Sequence, residues 1–231
     1  MVRLLLLSSS RTPEDEGFLH HALPALAEHL NGCRRLAMIP FAGVTLDWDD
    51  YATALIDNLV PLGVEVIPVH KDPTAIAHCD AIVVGGGNTF QLYAQMHRRR
   101  MLDELRDKVL AGAPYIGWSA GSNLACPGLY TTNDMPIVEP SSFAGLGLIP
   151  FQINPHYTDA HPEGHRGETR RMRIEEFLIA NPTQSVVGLP EGARLRRVGD
   201  QLTLAGKDAF VFRAGREPEP LACGDVSNLL D

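Results

Sequence analysis

The sequence predicts an α/β fold: one domain over residues 1–231, built on a mostly parallel sheet with helices on both faces and an antiparallel C-terminal edge. Three observations predict it. Short apolar runs alternate with stretches of helical length through the first two-thirds of the chain. Some of these runs end in glycine-rich turns that open a helix, as β-α units do. The last third instead carries short strand-like runs separated by turn residues, the pattern of antiparallel pairing.

Val2–Leu7 reads as a buried first strand, and Glu16–Leu30 as a helix ended by Asn31-Gly32. Arg35–Ile39 is a strand stopped at Pro40, and Asp47–Leu62 a helix ended by Gly63. Val64–Val69 follows as a strand, then Pro73–His78 as a short helix. Ala81–Val84 is a strand running into Gly85-Gly86-Gly87, with helical sequence from about Thr89 to Leu110. Tyr115–Gly117 is a strand, and Ala120–Ala125 starts a helix. Val186–Leu189 is a strand; Leu195–Val198, Gln201–Leu204 and Ala209–Arg213 read as antiparallel strands joined by Gly199-Asp200 and Gly206-Lys207. No internal repeat or linker interrupts the chain.

Composition narrows the function classes. Of 231 residues, 45% are hydrophobic and 21% charged, as in an ordinary globular chain. A formal net charge of -8 argues against general affinity for nucleic acid or anionic membrane. The four cysteines are widely spaced with no CxxC pair, which suggests neither a zinc site nor a redox dithiol. The N-terminal apolar run is too short for a signal peptide, and no cleavage site follows it. No apolar run approaches the roughly 18 residues of a membrane span. The cytoplasm is the expected location.

The strongest local signal is Gly117-Trp118-Ser119-Ala120-Gly121, a G-x-S-x-G motif after a strand and before a helix. A tight turn there exposes the Ser119 hydroxyl as a nucleophile, and the helix N-terminus supplies N–H groups where negative charge develops. A second oxyanion donor is expected from Gly85-Gly86-Gly87-Asn88, also at a strand end. The competing reading, a phosphate loop, lacks the GK[ST] ending and does not fit GxGxxG. The N–H groups of Gly87 and Ala120 are therefore the expected oxyanion pair. Among nine histidines, His156 in Gln152-Ile153-Asn154-Pro155-His156 follows an apolar run, at a strand end where open α/β sheets build their sites. It is the expected base. Two carboxylates qualify to orient it: Glu191, after the strand ending at Leu189-Pro190, and Asp134, in the loop Thr131–Pro136. Position alone leaves the choice open.

Positive charge gathers in the segment from His161 to Arg173. A helix is expected over Glu168–Ala180 with Ile174, Phe177 and Leu178 on its apolar face. Arg170 falls within about 35° of the centre of that face, Arg171 near about 65° and Arg173 near about 95°. An inward arginine requires an anionic partner, either a protein carboxylate or a substrate carboxylate. A metal reading through His156, Asp159, His161 and His165 is disfavoured, because Pro162 and Gly164 break helical spacing and no HExxH occurs. No metal or cofactor is expected.

Together, Pro40–Thr45, Val84–Leu92, Tyr115–Gly121, Thr131–Val138, Ile153–His156, Gly164–Arg170 and Gly188–Gly192 resemble the peptidase E family of bacterial aspartyl dipeptidases. That family is related in fold to class I glutamine amidotransferases and to cyanophycinase. The resemblance spans nearly the whole chain. It implies a metal-free Ser-His-acid mechanism acting on Asp-Xaa dipeptides, with Ser119 as nucleophile, His156 as base and Arg170 reading the substrate aspartate. Both acid positions, Glu191 and Asp134, match the family, and Glu191 is favoured as the partner of His156. Asn88 and Asn154, within the matching motifs, join Arg170 as expected substrate contacts. A small peptide is the expected partner, and a homodimer is common among such enzymes. The chain departs from the pattern at Ser122, where alanine is common, and in the tail after Pro218. Two other functions compete: hydrolysis of β-linked aspartyl peptides, and a non-catalytic module that binds acidic metabolites.

Overall fold

Leu4 and Leu6 of β1 (Arg3–Leu7) pack into one hydrophobic core, and Leu5 and Leu7 into another on the opposite side. A strand buried on both faces reads as a continuous apolar run and belongs inside a parallel sheet. The computed structural model, which describes residues 1–15, 17–160, 164 and 166–231, places it there. The strands β2 (Arg35–Ile39), β3 (Glu65–Pro68), β4 (Ala81–Val84) and β5 (Tyr115–Trp118) pair in parallel in the order β1-β5-β4-β2-β3. On the other side of β1, β8 (Arg194–Val198), β9 (Gln201–Ala205) and β12 (Gly224–Asp225) form the antiparallel edge.

Two helices cover the Leu5/Leu7 face, α1 (Leu23–His29) and α2 (Trp48–Leu59). Asp47 caps α2, its carboxylate accepting the Asp49 N–H at 2.8 Å. Four helices cover the opposite face: α3 (Ala75–His78), α4 (Thr89–Arg98), α5 (Leu102–Leu110) and α6 (Ala120–Leu124).

Four further strands form a second sheet that the sequence reading folds into the first. Its order is β11 (Glu219–Leu221), β10 (Ala209–Arg213), β7 (Ser185–Leu189), β6 (Gln152–Pro155), with β6 and β7 parallel and the others antiparallel. Ala209–Arg213 therefore does not continue the β8–β9 hairpin. The reason is burial: Ala209 and Val211 enter the large core, while Phe212 packs with Ile174 and Leu178 of α7 (Arg170–Ala180). A strand apolar on both faces needs cover on both. The chain crosses between sheets at Gly206, where a Cβ would lie 2.1 Å from the Gly192 carbonyl oxygen.

Two helix boundaries also differ. Over the described residues 17–30, the helix expected over Glu16–Leu30 is reduced to α1, with Pro24 in its first turn and a 3₁₀ turn, His20–Ala22, before it. The continuous helix expected over Thr89–Leu110 breaks at Arg100, which has a φ of 56°. There the Met101 N–H bonds to Met96 C=O and the Arg100 N–H to His97 C=O, a Schellman stop without glycine. Among the described residues no helix is long and apolar enough to cross a membrane.

Candidate active site

Ser119 sits between β5 and α6 with φ 52° and ψ -113°, strained for a residue with a side chain. Its glycine flanks are steric requirements. A Cβ on Gly117 would lie 2.5 Å from the Gly121 backbone, and one on Gly121 would lie 2.1 Å from the Val84 carbonyl oxygen. The strand-to-helix turn closes only with glycine at both positions, which is why the motif is legible in sequence.

His156 follows β6 of the second sheet, with a φ of 53°. Its Nε2 lies 3.0 Å from Ser119 Oγ and its Nδ1 lies 2.9 Å from Glu191 Oε1. With its proton on Nδ1, toward the carboxylate, the imidazole is left to accept from the serine hydroxyl at Nε2. The structure thus brings together one of the two expected acids. Asp134 is occupied elsewhere: its Oδ2 accepts the Thr89 N–H at 2.7 Å, the Thr89 hydroxyl at 2.5 Å and the Thr132 hydroxyl at 3.0 Å. Among the described residues it makes no hydrogen bond to His156.

The glycine loop lies beside Ser119. A Cβ on Gly86 would come within 3.1 Å of Ser119 Cβ, and Gly87, at φ 136°, has no room for a side chain against the Ala42 carbonyl. Among the described residues neither the Gly87 nor the Ala120 N–H donates to a protein acceptor. Asn88 is engaged at both ends: its Oδ1 accepts the Gln91 N–H at 3.0 Å as the N-cap of α4, and its Nδ2 donates to Met135 C=O at 2.9 Å. This side chain holds the loop against α4, and its second N–H and second oxygen lone pair are not used by these two bonds.

Arg170 begins α7 and points inward, as its place on the helix predicts. Arg171 instead pairs with Glu175 and Glu217, both at 2.7 Å, and Arg173 with Glu168 at 3.6 Å. Arg170 lines two clefts. One, of about 130 Å³, it shares with Asp134 and Asn154; the other, of about 330 Å³, with His156 and Glu191. Among the described residues its buried Nη1 has no hydrogen-bond partner, and neither does the buried Oδ1 of Asn154. Burial pulls the Arg170 guanidinium below its usual pKa; Glu191 opposes the shift and Arg173 adds to it. Asn154 Nδ2 donates to Thr131 C=O at 2.8 Å. Of the side chains in the alternative metal reading, His161 and His165 lie outside the described residues, and Asp159 accepts the Tyr157 hydroxyl.

One residue of this site carries no motif. Tyr51 of α2 links the residue before Ser119 to the glycine loop through its hydroxyl. In sequence it is one apolar position of an amphipathic helix, and nothing local singles it out.

A family model described as peptidase family S51 matches residues 4–205. The chain belongs to peptidase family S51. The S51 chain is 52% identical to peptidase E of Citrobacter koseri over 227 residues, covering 96% of this chain and 99% of the relative. It is 51% identical to peptidase E of Escherichia coli over the same length, with the same coverage. Its fold is similar to the crystal structure of a peptidase from an acI-B1 actinobacterium, with a TM-score of 0.70 at 16% identity over 97% of this chain and 95% of that one. Membership over nearly the whole chain makes it a serine-type dipeptidase of family S51, acting on a peptide substrate.

Proposed function

We propose that this dipeptidase hydrolyses Asp-Xaa dipeptides through an acyl-enzyme on Ser119. The observation that carries the reading is the continuous hydrogen-bond chain Ser119–His156–Glu191, with Arg170 lining the cleft beside it. His156 takes the Ser119 proton as the oxygen attacks the scissile carbonyl. The N–H groups of Gly87 and Ala120 receive the oxyanion. His156 then gives its proton to the leaving amine, and the same imidazole activates the water that releases aspartate. Glu191 holds the imidazole in orientation and offsets its charge.

Specificity falls to Arg170. Its Nη1, without a hydrogen-bond partner among the described residues, suits the side-chain carboxylate of an N-terminal aspartate, in a protein whose formal charge of -8 otherwise repels anions. The Oδ1 of Asn154, likewise without a partner among the described residues and in the smaller of the two clefts that Arg170 lines, suits the free α-ammonium group. Asp134 and Asn88 position the loops that frame the site. The four cysteines are free, which fits work in a reducing cytoplasm. A homodimer remains the expected assembly, and sedimentation in solution tests it.

Hydrolysis of Asp-Leu, Asn-Leu, Glu-Leu and Leu-Asp tests the reading. Asp-Leu is the expected substrate. Asn-Leu keeps the shape and loses the charge. Glu-Leu keeps the charge and displaces the scissile bond. Leu-Asp has its carboxylate on the wrong side of that bond. Preference for a β-linked aspartyl peptide over Asp-Leu would overturn the substrate, and normal turnover by Ser119→Ala would overturn the mechanism.

A further inference from the structure

The last residue of β1 and the one after it touch the segments that carry all three members of the hydrogen-bond chain. The Leu7 C=O accepts the Ser119 N–H at 3.1 Å. The Ser8 hydroxyl accepts the His156 N–H at 2.8 Å and donates to the Leu189 C=O at 2.7 Å. The Ser8 N–H donates to the Ala193 C=O at 3.0 Å. Ser8 therefore grips the chain two residues before Glu191 and two residues after it, and it grips His156 directly.

Ser8 has no solvent exposure, so no bulk water stands ready to replace its hydroxyl. His156 holds a left-handed φ of 53°, a conformation that a residue with a side chain keeps only when its surroundings enforce it. The hydroxyl spends its one proton on Leu189 and a lone pair on His156, so both bonds come from the same atom and move together. It also crosses between sheets: Ser8 leaves the large sheet, whereas Leu189 ends β7 of the small one and His156 directly follows its β6. Ser119 stands on the large sheet, so its distance to His156 depends on how the two sheets register at this point.

We infer that Ser8 is a positioning residue for the reaction, its buried hydroxyl setting His156 against Ser119 and Glu191 across the junction of the two sheets. The inference rests on the roles proposed above for Ser119, His156 and Glu191. It predicts a defect in the chemical step rather than in substrate binding, because among the described residues Ser8 bonds only to backbone and lines neither cleft of Arg170.

The experiment compares Ser8→Thr with Ser8→Val, two side chains of nearly equal shape that differ in the hydroxyl. Any packing disturbance is common to both. Ser8→Thr is expected to keep kcat within roughly three-fold of wild type, and Ser8→Val to lose roughly 10- to 100-fold in kcat with KM within about two-fold, the scale of a misplaced catalytic group. Equal kcat values for the pair, or a loss confined to KM, would overturn the inference. If Ser8→Val does not fold, Ser8→Ala replaces it, read against Ser122→Ala. That reference also deletes a buried hydroxyl, one bonded to Leu7 and Gly117 carbonyls and without contact to His156. A kcat for Ser8→Ala no lower than that of Ser122→Ala would equally overturn it. Ser8→Cys, with a weak donor and acceptor, closes the series at an expected intermediate kcat. Ser119→Ala separates the two failures: if it turns over normally, the serine mechanism falls; if it is inactive while the Ser8 pair is equal, only the role of Ser8 falls.

Discussion

The Tyr51 hydroxyl accepts the Trp118 indole N–H at 2.9 Å and donates to the Gly86 carbonyl at 3.0 Å, joining the turn that holds Ser119 to the loop that holds Gly87. Phe18 packs edge-on against both rings, at 5.7 Å from Trp118 and 6.1 Å from Tyr51. A Cβ on Gly85 would lie 2.7 Å from the Tyr51 oxygen, and one on Gly86 would lie 2.7 Å from Trp118 Cδ1. The glycine loop is thus shaped as much by these aromatic neighbours as by its own flexibility.

Tyr51→Phe leaves a buried indole N–H and a buried carbonyl without their partner. The expected cost is about 1–3 kcal/mol in denaturant unfolding. Because the loop carrying Gly87 loses its tether, kcat should fall roughly 10-fold with KM little changed. An unaltered kcat would show that the loop holds its place without Tyr51.

Glu191 and Asp134 are separated by their partners, and kinetics should separate them too. Glu191→Gln removes the charge facing His156 Nδ1 and should lower kcat by roughly 10²- to 10⁴-fold. Asp134→Asn weakens the grip on Thr89 and Thr132 and should alter kcat less than 10-fold, by order of magnitude. Its larger effect should be on KM and on thermal stability, since it frames the cleft of Arg170 and Asn154. If Asp134→Asn proved the more damaging to kcat, the assignment of the acid would reverse.

In wild type the gap between Asp-Leu and Asn-Leu should be roughly 30- to 1000-fold in kcat/KM, the cost of leaving a desolvated guanidinium poorly paired. Arg170→Ala should narrow that gap chiefly by slowing Asp-Leu. Arg170→Lys should recover only part of it, because an ammonium cannot offer the planar pair of donors. Full retention of the gap in Arg170→Ala would pass the role to Arg166, since Arg171 is already paired with Glu175 and Glu217.

A buried histidine makes stability sensitive to acid. His29 has no solvent exposure, and its pKa is held down at about 4, first by burial and then by the charge of Arg3. Its unfolded value lies near 6.5. Above that pH the ring is neutral in both states and stability is unaffected by it. As pH falls from about 6.5 to about 4, the unfolded chain takes up a proton that the native state refuses, and stability drops, by on the order of 3 kcal/mol in all. His29→Gln should flatten this part of the unfolding curve measured against pH. An equally steep acid decline in that variant would place the titrating group elsewhere.

Local chemistry is what the sequence alone determined. The alternation of apolar runs and helices, the glycines around Ser119 and the inward place of Arg170 follow from contacts within a few residues, and their patterns are readable without a partner. The stop at Arg100 was not readable, because it uses a left-handed residue that is not glycine. Which carboxylate meets His156 was not readable from position, and only the family resemblance favoured Glu191: it lies 35 residues away in sequence and meets His156 because β6 and β7 pair in parallel. The division into two sheets depended on the burial of both faces of β10, a property of the packed core. Ser8 meets His156 across 148 residues through one buried hydroxyl, and Tyr51 meets Trp118 across 67. Such contacts leave no local pattern, because their energy comes from neighbours that only the folded chain brings together.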